Sequence, residues 1–258
     1  MTTTGPFPLI AWPAGKELLV CCVDLSTNKG LAAYAETFTA AGPVEQSAAD
    51  FNARGVRSDL VKMIAHRLRS GPVALGIEGP LWGLTLGPVG PYVRRPFELI
   101  GKSDYSWCGG AGNIGAATTL KAQLILAALM RDLVDALDDG PQLEVCFAGG
   151  GTEFNWRAGS FLLWKAFVGG HYKEVPVCLP ETCRFRTNPD VLDAARAVWA
   201  GFSNHPERLT TPSELLEQVV PLAVNALLAA GVSLPPELRP GLCAVVAPGM
   251  PRGVLLWP

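Results

Sequence analysis

The chain has 258 residues, about half of them apolar, and a formal net charge of −2. That is enough apolar material for one large core or two small ones, and the near-neutral charge excludes a protein that coats nucleic acid through bulk positive charge. The seven cysteines are odd in number and show neither a C-x-x-C pair nor a Cys/His ladder of zinc spacing, so reduced, buried thiols in a cytoplasmic protein are expected.

Residues 1–15 are rich in Thr, Pro and Gly, lack the basic start and long apolar region of a secretory signal, and read as a lead-in to a single domain over 16–258. Leu18 to Asp24 is a run of small and branched apolar residues ending in a carboxylate. Such a run, closed by the turn Ser26-Thr27-Asn28-Lys29-Gly30, predicts a strand covered on both faces. Leu31 to Phe38 then returns as an antiparallel strand, because the turn is short and Gly30 supplies positive φ. A further strand is expected around Pro43 to Ser47.

Val61, Ile64 and Leu68 recur at helical spacing, which predicts a helix over Ser58 to Ser70 with Ser58 as N-cap and Gly71-Pro72 as stop. Val73 to Glu78 repeats the opening pattern, a short apolar strand ending in an acid and turning at Gly79-Pro80. Leu81 to Gly112 is a long Gly- and Pro-rich passage holding Arg94, Arg95 and Lys102 among Tyr92, Tyr105 and Trp107. Cations interleaved with aromatics suit a groove for single-stranded nucleic acid, and a solvated loop with a few anchors is the simpler reading.

Ile114 to Leu137 has strong helical periodicity through Leu126, Leu129, Leu133 and Leu137, and Gln142 to Ala148 reads as a strand carrying Glu144. After Gly149-Gly150-Gly151, Phe161, Leu162, Lys165 and Val168 predict a short helix, and Val175 to Leu179 a short strand. Asn188-Pro189 is a cap and first-turn pair for a helix to Phe202, with Leu192, Ala195, Trp199 and Phe202 as its core face. Thr211-Pro212-Ser213-Glu214 is a capping box opening a last helix, kinked at Pro221 and ended by Gly231. Leu242 to Ala247 and Val254 to Trp257 are expected to close the chain as two strands. The apolar runs Leu124 to Met130 and Val219 to Val224 are too short to cross a bilayer, so no membrane span is expected.

A hairpin, a helix, a parallel strand and further alternation predict an α/β fold with a mixed sheet and helices packed on both faces. In such a sheet the acids of adjacent strand ends lie close. Asp24 and Glu78 would repel each other unless a divalent cation lies between them, and hard oxygen donors suit Mg2+ or Mn2+. Asp193, beside Ala194, Ala197 and Ala200 on a helix laid over the sheet, is the third candidate, with Asp190 three residues earlier as its companion or substitute. Each acid also has a plain structural reading: Asp24 as a turn former, Glu78 as a solvated strand end, Asp193 as a helix-surface charge. Of the histidines, His66 and His205 read as packing or surface residues, and His171 as a candidate general base.

A leading strand ending in Val-Asp before a hairpin, a later strand ending Ile77-Glu78-Gly79-Pro80-Leu81, and a helix carrying Asp190-x-x-Asp193-Ala together resemble the ribonuclease H-like superfamily. Within it, the chain is most similar to a bacterial domain-of-unknown-function family of nucleases of that fold. The likeness runs from about Val20 to Phe202, with Glu78 standing where that family usually carries Asp. The resemblance implies a ribonuclease H-like sheet, catalytic and metal-binding roles for Asp24, Glu78 and Asp193 with Asp190 beside them, and Mg2+ or Mn2+ as cofactor. It also implies phosphodiester hydrolysis in nucleic acid, with Arg94, Arg95, Lys102 and Lys29 as candidate substrate contacts. Two other classes remain open: a nucleotide-binding phosphotransferase of the actin and sugar-kinase type, using Gly149 to Gly151, and a non-catalytic binding protein on the same fold.

Overall fold

In the computed structural model every residue of the first strand, β1 (Leu18–Asp24), is buried, as expected of an apolar run covered from two sides. The structure describes residues 12–24, 31–53, 56–78, 82–84, 86–87, 90–91, 113–147, 154–166, 177–202, 219–221, 227, 230–232, 244–246 and 254–256. In chain order the elements are β1, β2 (Leu31–Thr39), β3 (Gly42–Pro43), β4 (Ala49–Ala53), α1 (Val56–Leu68), β5 (Val73–Glu78), β6 (Trp82–Leu84), β7 (Leu86–Gly87) and β8 (Gly90–Pro91). There follow α2 (Asn113–Ala136), β9 (Glu144–Phe147), β10 (Ser160–Lys165), α3 (Pro189–Phe202), β11 (Val219–Pro221), β12 (Ala244–Val246) and β13 (Val254–Leu256).

The main sheet has seven strands in the order β3-β2-β1-β5-β10-β9, with β4 also paired to β2. β1 and β2 form the expected antiparallel hairpin, and β5, β10 and β9 continue from β1 in parallel. The fold is therefore α/β with a mixed sheet.

Side-chain alternation along the strands divides the core into two layers. Leu19, Cys21 and Val23 of β1, with Val73, Leu75 and Ile77 of β5, pack against α1 and α2 through Leu60, Ile64, Leu126, Leu129 and Leu133. Each such fully buried leucine stabilises the fold by about 1.5–3 kcal/mol relative to exposure. Leu18, Val20 and Cys22 face the other way, with Tyr34, Phe38 and Trp164, onto Val191, Ala194, Ala195 and Val198 of α3. Helices thus cover both faces. Among the described residues, no helix is long and apolar enough to cross a membrane, and Cys21, Cys22 and Cys183 are buried thiols while Cys178 is exposed.

Several expectations are corrected. The segment expected as a helix from Phe161 is strand β10, because the apolar run Phe161 to Trp164 lies between two parallel neighbours, and a short apolar run carries no period that separates helix from strand. Val219 to Pro221, expected inside a helix, is a strand antiparallel to β6; two β-branched residues ahead of a proline disfavour helix. Ser58 lies inside α1, not at its cap. Of the strand expected at Pro43 to Ser47 only Pro43 lies in one, β3; residues 44–48 connect it to β4, a strand not among the expected elements, and there the Ser47 hydroxyl donates to the Val44 and Thr37 carbonyls. Val177 to Leu179 forms no strand. On α3 the buried face is Val191, Ala194, Ala195, Ala197, Val198 and Phe202, with Leu192 and Trp199 only half-buried. The helix has turned its alanines to the sheet, where small side chains permit the closest approach.

Candidate metal centre at the strand ends

The register of the sheet brings the two strand-end acids together. Asp24 and Glu78 are direct partners across the parallel pair β1/β5, each the last residue of its strand, with Ala32 of β2 opposite Asp24 on the other side. Asp24 is only 7% exposed. Its parity is that of Leu18, Val20 and Cys22, and position 78 has the parity of Ala74, so both positions belong to the side covered by α3. Small residues flank the pair: Ala32 on one side and, directly after β10, Ala166, which is buried and donates its N–H to the Ile77 carbonyl at 3.0 Å.

One residue pair further down the same face, Cys22, Gly76 and Trp164 stand in register across β1, β5 and β10. The Trp164 ring lies on Gly76 and meets Phe202 of α3 edge-on, 5.2 Å between centroids. It forms a rigid apolar layer beneath the acid row. Its indole N–H is buried without a hydrogen-bond partner among the described residues.

Asp193 and Asp190 both lie on α3, the helix that packs on β2 and β1. Asp193 is engaged within the helix, its Oδ1 accepting from Arg196 at 2.6 Å, with both side chains mostly buried. Asp190 is half-buried in the first turn. Asn188 caps that turn as expected, its Oδ1 accepting from the N–H of Asp190 at 2.9 Å and of Val191 at 3.3 Å. Among the described residues, no group of three or more His, Cys, Asp or Glu side chains is arranged to hold a metal ion. The register brings Asp24 and Glu78 to one place; Asp193 is held by Arg196.

Lys29, Arg94, Arg95, Lys102, His171, His205 and the Gly149 to Gly151 triplet lie outside the described residues. His66 is exposed on α1. Glu144 is a structural acid, bonded by Arg157 at 2.7 Å and Asn155 at 2.6 Å, and the Arg157 bonds hold its carboxyl below the usual range.

Two acids on the α3 side escaped the sequence reading. Glu36 of β2 is 5% exposed and accepts a hydrogen bond from the Tyr34 hydroxyl at 3.1 Å. Asp50 of β4 clamps the segment ahead of α3, accepting from the Arg184 N–H at 2.8 Å and the Phe185 N–H at 2.5 Å. Glu36 could have been found from alternation, since it shares a parity with Ala32, Tyr34 and Phe38 in a strand buried on both sides. Asp50 could not, because its partners are backbone groups more than a hundred residues away.

A buried carboxylate with a second acid position beside it in register is donor chemistry that suits a hard divalent cation. Comparison with family models, with curated proteins and with solved structures gave no match.

Proposed function

We propose that this chain is a divalent-metal-dependent nuclease with a ribonuclease H-like fold, and that Asp24 and Glu78 are the acids around which its site is built. The observation that supports this reading is their direct pairing at the ends of adjacent parallel strands, with β1 also forming the opening hairpin. Two carboxylates so placed repel unless a cation or a proton intervenes. Asp24 and Glu78 would hold Mg2+ or Mn2+, with Asp193 or Asp190 completing the set from α3. When bound there, such a cation supplies an activated water and stabilises the leaving oxygen of a phosphodiester. The chain's own part is placement: the sheet register sets positions 24 and 78 side by side, above the Trp164 layer and between Ala32 and Ala166.

Calorimetric titration with Mn2+, on the wild type and on Asp24→Asn, tests the site. The reading expects saturable binding by the wild type, at least tenfold weaker binding by the variant, and Mn2+-dependent cleavage of single- or double-stranded nucleic acid by the wild type only. Absence of binding in both proteins removes it.

A second reading, a non-catalytic binding protein, draws on the Asp193–Arg196 pair, which neutralises the third acid within its own helix. Arg196→Ala separates the two. A nuclease whose third ligand is Asp193 gains Mn2+ affinity when that competitor is removed, and a binding protein shows no change.

A further inference from the structure

Beneath α3, away from the strand-end acids, Glu36 is buried where nothing in the proposed chemistry uses it. Among the described residues its carboxylate takes one hydrogen bond, from the Tyr34 hydroxyl two residues back on the same strand. From α3 the Trp199 indole lies near both groups, its buried N–H short of hydrogen-bond geometry to any partner among the described residues. Among the described residues Cys183, buried in the segment ahead of α3, is a further titratable group facing this cluster, its thiol pushed up to about 11 by burial first and then by Asp50 and Glu36. Asp50 of β4 stands behind it, committed to the backbone of Arg184 and Phe185. Among the described residues no cation pairs with Glu36, and Arg196, on the same helix as Trp199, is taken by Asp193.

An ionised carboxylate in such a place is costly, because burial removes its water and nothing positive replaces it. Accordingly, burial holds the Glu36 carboxyl above the usual range, against the opposing pull of the Tyr34 donor. The group sits at the contact between the sheet and α3, so its charge bears on how the helix is seated.

We infer that Glu36 is a proton-operated latch between β2 and α3: neutral, it stays dry beneath the helix beside Tyr34, and on ionisation it draws in water and loosens the helix that carries Asp190 and Asp193. The inference needs nothing of the metal reading, since it concerns the seating of α3 alone.

The sign follows from the direction of the shift. Stability contributed by neutral Glu36 is fully present below the carboxyl's unfolded pKa and is lost as pH rises through the higher folded value. The experiment follows Trp199 fluorescence, isolated as the difference between the wild type and Trp199→Phe, together with hydrogen exchange in the peptide 189–202 corrected for intrinsic rate, from about pH 4 to 9, the span over which shifted carboxyls titrate. The wild type is expected to show one transition above the ordinary carboxylate range, with emission moving to the red and α3 exchange rising together. Glu36→Gln loses the transition in both signals. Tyr34→Phe, which removes a donor to the carboxylate, moves its midpoint upward, and serves as the deciding variant if Glu36→Gln does not fold. A wild type without the transition overturns the latch, as does a Glu36→Gln protein that retains it or a Tyr34→Phe protein with an unmoved midpoint.

Discussion

Trp164 and Gly76 are register partners on adjacent parallel strands, and the indole ring lies so near the glycine that a Cβ at position 76 would come within 2.5 Å of ring carbons. The contact is with a rigid aromatic, not the end of a flexible chain. Gly76→Ala therefore forces Trp164 off its rotamer or separates β5 from β10, at a cost of about 1–3 kcal/mol for overpacking a filled core. Urea denaturation should show a lower midpoint with an unchanged slope. Trp164→Leu, which vacates the space, should make the Gly76→Ala penalty smaller in the double variant; strict additivity would mean that the ring does not set the constraint.

One side chain ties the backbone of the segment ahead of α3 to the sheet. Asp50 accepts two backbone N–H groups, from Arg184 and Phe185, and Phe185 packs against the α3-side core while both flanking arginines are exposed. Asp50→Ala leaves two donors without their acceptor and costs about 1–3 kcal/mol, part of it recovered where water reaches the exposed Arg184 amide. Limited trypsin digestion is the sharper measurement, because the freed segment carries cleavage sites at Arg184 and Arg186. Cutting there should accelerate several-fold in the variant, and equal rates would show that packing of Phe185 alone holds the segment.

What could be read from the sequence was what local pattern determines. The hairpin, β5 and α2 were legible because each is a long or strongly bounded apolar pattern with turn residues at its ends. Asn188-Pro189 located the start of α3 to the residue, since a cap acts through the groups next to it. β10 was not legible: Phe161, Leu162 and Lys165 fit a helical face as well as a strand, and only its neighbours β5 and β9 decide. The face of α3 was misjudged for a related reason, as weighting the largest side chains favours Leu192 and Trp199, whereas close approach to the sheet selects the alanines.

The candidate site divides in the same way. That Asp24 and Glu78 end their strands is written in the chain, but that the two strands are neighbours in register is a property of the sheet. The Asp193–Arg196 pair was within reach of the sequence as an i, i+3 spacing of opposite charges on a helix. Weighed as a ligand, Asp193 was read without its nearest cation.

Glu144 offers a pH test away from the candidate centre. Arg157 bonds it through two nitrogens, at 2.7 and 3.2 Å, and thereby joins β9 to the turn before β10. Because these bonds lower the Glu144 pKa, their contribution is present above the unfolded value and is lost as pH falls through the folded one. With side-chain exposures of 38% for Glu144 and 69% for Arg157, solvent screening is strong, and a surface pair of this kind contributes under about 1 kcal/mol. Arg157→Ala should therefore be slightly less stable than the wild type at neutral pH and converge with it only once the pH has fallen through the lowered Glu144 value, beneath the ordinary carboxylate range. High salt should shrink the neutral-pH difference. A gap that persists in acid would assign the effect to the packing of the arginine stem.

The first turn of α3 carries the last prediction. Asn188 accepts two N–H groups through its side chain, while its carbonyl takes the first intrahelical bond, from Leu192 at 2.9 Å. Asn188→Ala keeps the carbonyl and removes the side-chain acceptor, so it should cost roughly 1 kcal/mol in thermal or chemical denaturation. Asn188→Asp keeps an acceptor and places a negative charge at the positive end of the helix dipole, so it should hold or slightly raise stability. The pair also discriminates between roles for α3. If Asp190 and Asp193 act only as helix residues, Mn2+ affinity is independent of the cap and both folded variants bind as the wild type does. If they contribute ligands, Asn188→Ala weakens Mn2+ binding while the protein remains fully folded, because fraying of the first turn displaces Asp190 first and Asp193 one turn later.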